Sequence, residues 1–187
     1  MSPEFYQRVD SIKRRWTTAV SLSEHFNPSK VIRPEHIKAI VTGDYPKLRE
    51  IGEAYGDSTA AQVVVYAIVT NIVENAGGKE MLTQSQTASL ANTIYAEYPW
   101  MKISELLLFA QKFKAGHYGR FYGAQDPTVI SEALKKFWNG YRNDIYAEAE
   151  REAAIRKAEQ EAHNPNAITY QQFLELHKGE GLDLEGI

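Results

Sequence analysis

Six side chains between positions 112 and 122 carry the most concentrated chemistry in this sequence: Lys112, Lys114, His117, Tyr118, Arg120 and Tyr122. Cations neutralise phosphate oxygens, and a tyrosine ring stacks on a base or donates its hydroxyl to a backbone, so the mixture is that of a nucleic-acid contact. The same stretch also reads as architecture. Tyr118, Phe121 and Tyr122 would then plug the gap between two helices, with Gly119 and Gly123 allowing the positive backbone angles of a tight turn. A second basic run, Lys13-Arg14-Arg15, reads either as a phosphate contact or as a solvated helix face. Near the other end, Tyr170, Phe173 and Leu174 gather in one short amphipathic piece, a folded-back cover or a partner-binding peptide.

Other reactive patterns are weak. The five histidines (25, 36, 117, 163 and 177) show neither His-Glu-x-x-His nor His-x-His spacing, and there is no cysteine to supply a thiolate. Gly77-Gly78-Lys79-Glu80 lacks the glycine spacing and the Ser or Thr of a phosphate-binding loop, and it follows a helix rather than a strand. No nucleophile elbow and no dinucleotide fingerprint occur. The sequence therefore predicts a non-enzymatic binding module with no cofactor and no metal.

The elements that must position these residues read as helices throughout. Phe5, Val9, Ile12 and Trp16 predict a helix over Glu4–Val20. Pro34 and Pro46 open two short pieces closed by Gly43 and Gly56. Asp57 or Ser58 starts the most apolar segment; its valine-rich run would also suit a strand, but its length, polar caps and helical neighbours predict a central, buried helix. Thr83 and Gln86 form a capping box for the next, which ends before Tyr98-Pro99-Trp100. Ile103, Leu106, Leu107, Ala110 and Phe113 then mark one helix face, with Glu105 at its positive end and Gly116 as its stop. Asp126 caps a second helix with Pro127 at its first position, and Ile130, Leu134, Phe137, Trp138, Tyr141 and Ile145 form its apolar stripe. Alanine, glutamate, arginine and lysine carry that helix on to His163, roughly 55 Å at about 1.5 Å per residue. The expected organisation is all-α: a compact multi-helix domain over 1–142 containing a helix–glycine turn–helix module at 83–142, a projecting charged helix at 143–163, and a flexible acidic tail at 164–187.

Charge is distributed in blocks. Residues 1–50 hold nine basic and six acidic side chains, 51–101 one and five, 102–142 seven and three, and 143–187 four and ten, for a net charge of −3. A basic module followed by an acidic tail fits a DNA-facing surface with a self-masking or partner-facing tail, or plain solvated helix faces. The longest apolar run, near residues 60–69, is far short of a membrane span. The N-terminal residues lack the apolar core of a signal peptide, so a cytoplasmic location and no membrane partner are expected.

Residues 83–142 resemble small helical proteins of bacterial phages and conjugative elements and, more loosely, phage helicase loaders and replisome organisers without an ATPase domain. The likeness rests on Glu105, Phe109, Lys114, Gly116, Tyr118, Gly119, Tyr122, Gly123 and Arg142. It implies a replication-accessory adaptor in a bacterial host that binds a replicative helicase, DNA or both, and it supplies no established functional residues. The alternative is a phage structural or assembly protein whose long helix makes protein–protein contacts, including a homo-oligomer through that helix.

Overall fold

The computed structural model describes residues 1–56, 58–119 and 124–162. Among them the architecture is all-α, with no strand and two isolated bridge pairings, Lys47 with Lys102 and Glu80 with Ala124. Arg120, Phe121, Tyr122 and Gly123, and Tyr170, Phe173, Leu174 and the acidic tail, lie outside the described residues.

The first helix, α1, spans Pro3–Arg15, with Ser2 as N-cap and Phe5, Val9 and Ile12 buried. It stops at Trp16, earlier than the spacing predicts, because Thr18 begins a new helix, α2 (Ala19–His25), by exchanging capping hydrogen bonds with Ser21. After a 3-10 turn at Pro34–His36 come α3 (Ile37–Thr42) and α4 (Leu48–Ala54). Gly43 ends α3 where a Cβ would sit 2.4 Å from the Ala39 carbonyl oxygen, so no side chain fits.

Helix α5 (Ser58–Asn75) is central, packing on α2, on α4, on α6 (Gln84–Glu97) and on α7 (Ile103–Lys114). Val64, Val65, Ile68, Val69 and Ile72 face inward, but Val63, within the same apolar run, is 57% exposed. Helix α6 starts at the expected capping box, Thr83 with Gln86. Helix α8 (Pro127–Lys136) has Asp126 as N-cap and Pro127 in its first turn, as read from the sequence. Gln125, just before it, is buried and ties three connections together. Its amide donates to the carbonyls of Val73 (2.7 Å) and Gly77 (2.6 Å), and its side-chain oxygen accepts from the Leu82 N–H.

Helical backbone continues from α8 through a π-helical turn, Phe137–Tyr141, into α9 (Arg142–Ala162). The wider turn changes the register of the stripe. It seats Phe137 in the core against Phe109 while Trp138 packs edge-on against Tyr98. The chain divides into two compact units, Met1–Ala147 and Glu148–Ile187. In the second unit, the described residues from Arg151 to Glu161 are exposed, as the alanine-and-charge composition predicts.

Candidate functional site

The two starts of α4 and α7 lie side by side. The Leu48 N–H donates to the Met101 carbonyl (2.9 Å), the Ile103 N–H to that of Pro46 (2.9 Å), and the Arg49 N–H to that of Pro99 (2.8 Å). Each start carries the same short pattern, Lys47-Leu48-Arg49-Glu50-Ile51 and Lys102-Ile103-Ser104-Glu105-Leu106, behind a Tyr-Pro pair at 45–46 and 98–99. In both, the glutamate reaches back 2.9 Å to the N–H of its own lysine. That satisfies one donor that a helix start leaves open and puts a carboxylate at the positive end of the dipole.

Both carboxylates are buried, and each is neutralised by an arginine from another helix. Arg8 on α1 binds Glu50 (2.6 Å) and also Asp44, and these acidic partners hold its guanidinium well above the usual range. Arg142 on α9 binds Glu105 at 2.8 Å, with the Tyr146 hydroxyl donating to the same oxygen at 3.1 Å. Burial, reinforced by Glu105, pushes the Tyr146 phenol up to about 12. The Lys102 ammonium donates to the carbonyls of Val41 (2.8 Å) and Gly43 (2.7 Å) and to the Tyr146 oxygen (2.9 Å). Its pKa is lowered by desolvation. These groups bind one another, and the arrangement is a pair of clamps, the first of which borders a surface hollow through Arg8, Lys47 and Glu50.

The residues singled out from the sequence are distributed differently from one another. Lys114 turns inward, donating to Asn71 Oδ1 (2.5 Å) and to the Pro28 carbonyl (3.2 Å), and burial lowers its pKa. Tyr118 packs against Phe109, where burial raises its phenol to about 12. The packing reading of that ring therefore describes where it sits. The Lys112 ammonium lies 5.0 Å from the centre of the Tyr141 ring, and His117 is exposed. Gly119 adopts φ of +104°, the positive angle expected of it in this turn, and Gly116, read as the helix stop, adopts +80°.

A different surface gathers two half-buried cations and an exposed aromatic ring. Trp100 is 49% exposed, with Arg49 at 5.2 Å and Lys47 at 5.7 Å from its ring centre. The three meet because the bridge between Lys47 and Lys102 brings residues 46–49 against 99–103. Arg49 lines one hollow with Glu53, Ser58, Tyr95 and Pro99. Trp100 and Lys47 line the next with Met1, Ser2, Glu4 and Phe5. By sequence, Tyr98-Pro99-Trp100 reads only as a helix break. The signal that points to this face is the repeated Tyr-Pro with Lys-x-x-Glu. Among the described residues there is no group of three or more His, Cys, Asp or Glu side chains that would hold a metal ion.

The fold and this junction define an all-α chain built around two clamped helix starts. Residues 81–180 match a family of unknown function (DUF6633), and the chain belongs to that family. The match takes in Trp100, Lys102, Glu105, Arg142 and Tyr146, and leaves Arg8, Lys47, Arg49 and Glu50 outside. No curated protein and no solved structure matches the chain.

Proposed function

We propose that this protein is a non-enzymatic accessory adaptor of replication in a phage or other mobile element, and that it contacts single-stranded DNA with the face around Trp100. The observation that carries the DNA contact is the half-exposed indole with the Arg49 and Lys47 cations within 6 Å of its centre. An aromatic platform beside cations suits an unpaired base followed by its phosphates. Replication, a helicase partner and a mobile-element origin rest on the resemblance over residues 83–142. Lys112 and His117 belong to the reading as a secondary basic surface, and Arg120 joins them on its place in the sequence alone. The half-buried Lys114 is held by Asn71 and the Pro28 carbonyl instead.

The test is binding of labelled single-stranded and duplex DNA at two salt concentrations, read by anisotropy and by quenching of indole fluorescence. Binding to single strands is expected to weaken with salt. Trp100→Ala is expected to weaken it roughly 5- to 150-fold, the range of about 1–3 kcal/mol for a stacked base, and Lys47→Ala with Arg49→Ala to flatten the salt dependence. If Trp100→Ala binds as the parent does while Lys112→Ala and Arg120→Ala do not, the contact moves to the turn after α7. No binding at low salt removes DNA and leaves an adaptor between proteins.

A further inference from the structure

Over most of their length α5 and α6 carry no charge; Glu74 and Glu97 stand only at their last turns. Residues 58–73 and 81–96 contain no Asp, Glu, Lys, Arg or His, although 24% of the chain is Asp, Glu, Lys or Arg. The two helices pack along one another, and their inward residues already build the core. Outward, Thr59, Gln62, Val63 and Tyr66 of α5 face Ala88 and Asn92 of α6 across a shallow groove of about 200 Å³. Val63, more than half exposed, is the largest apolar residue given to solvent there.

We infer that this face binds a second copy of the same chain, the two α5–α6 pairs meeting about a two-fold axis. In such an interface the same patch meets itself, so a charge near the axis would face its own like charge. A surface of neutral side chains avoids that repulsion. Gln, Asn, Ser and Thr each offer both a donor and an acceptor, so each pairs with its own copy. A nucleic acid or a charged protein groove would instead be met by complementary charge, and this face has none. Val63 and Tyr66 supply apolar area that a partner removes from water.

The dimensions set the strength. Helix α5 is 18 residues long, or about 27 Å, and two adjacent helices span roughly 20 Å, giving about 500 Å² per copy. The total of about 1,000 Å² stands at the lower edge of specific interfaces. Association is therefore concentration-dependent rather than obligate.

The experiment is sedimentation equilibrium of the full chain from low to high micromolar concentration, with three variants. Val63→Glu and Asn92→Lys place a charge in the groove at exposed positions, and Ile155→Glu does the same on the exposed part of α9. The expected result is a reversible monomer–dimer equilibrium, weakened about tenfold or more by each groove variant and unchanged by Ile155→Glu. Circular dichroism melting of the groove variants should match the parent. A parent that stays monomeric throughout, or groove variants that associate as the parent does, overturns the inference. Loss of association in Ile155→Glu alone assigns self-association to the long helix instead.

Discussion

Glu105 and Arg142 stand 37 residues apart and meet at 2.8 Å, with the carboxylate fully buried. Removing one member of such a pair strands the other's charge away from water, so Arg142→Ala is expected to cost about 3 kcal/mol in a urea unfolding series. The low end of the usual range applies because Tyr146 and the Lys102 N–H still bind Glu105. Converting both residues to apolar ones of similar volume should recover most of that loss, and a double variant no more stable than Arg142→Ala would show that the charge was not the issue. At this scale the sequence is informative where a contact is local. The Thr83–Gln86 and Asp126–Thr128 caps were readable because donor and acceptor are two or three residues apart. Glu105 was read as a dipole residue and Lys114 as a phosphate ligand because Arg142, Asn71 and Pro28 are distant in the chain. Trp100 was read as punctuation because its cations come from another helix.

Among the elements, α9 divides between structural contact and solvent. Arg142 and Tyr146, in its first two turns, clamp α7, and its later half has no buried residue. A chain ending at Ala147 is therefore expected to melt within a few degrees of the intact protein. One ending at Tyr141 loses both clamps and should melt clearly lower; equal melting of the two would deny the first turns their structural part. The turn after α7 makes a second case. Gly119 holds φ of +104° with open space where a Cβ would stand, so Gly119→Ala costs backbone strain alone, about 1 kcal/mol or slightly more, measurable as a lower denaturant midpoint at constant slope. Helix type and order were legible from periodicity, caps and prolines. The break at Trp16 was not, because Trp16 continues the apolar spacing and is buried as that spacing implies. The wider turn at Phe137–Tyr141 was also hidden, since it answers to the fit of Phe137 and Trp138 against the body rather than to any local residue preference.

For the whole molecule, the titrating groups give stability a sign at alkaline pH. Tyr118 and Tyr146 have folded values of about 12 against an ordinary 10. The native state thus holds its phenolic protons more tightly, and the stability they contribute is present below pH 10 and lost as pH rises towards 12. Lys102 and Lys114 are shifted down by burial, so they work in the opposite sense, adding stability as pH climbs through their folded values to 10.5. Urea midpoints should therefore fall steeply only above about pH 10, and Tyr146→Phe should make that fall shallower. A midpoint flat to pH 12 in the parent would contradict the burial of both phenols.

The two clamps also differ in direction along the chain. Glu50 takes its arginine from upstream, at position 8, and Glu105 takes its arginine from downstream, at position 142. A ribosome delivers Arg8 before the carboxylate that needs it, so the first half can close as it emerges. The second carboxylate waits, its charge destined for an apolar interior, until a further 37 residues have been made. Vectorial synthesis thus leaves α7 as the last helix start to be sealed, and a nascent chain halted between positions 105 and 142 would expose to a protease what the finished protein hides.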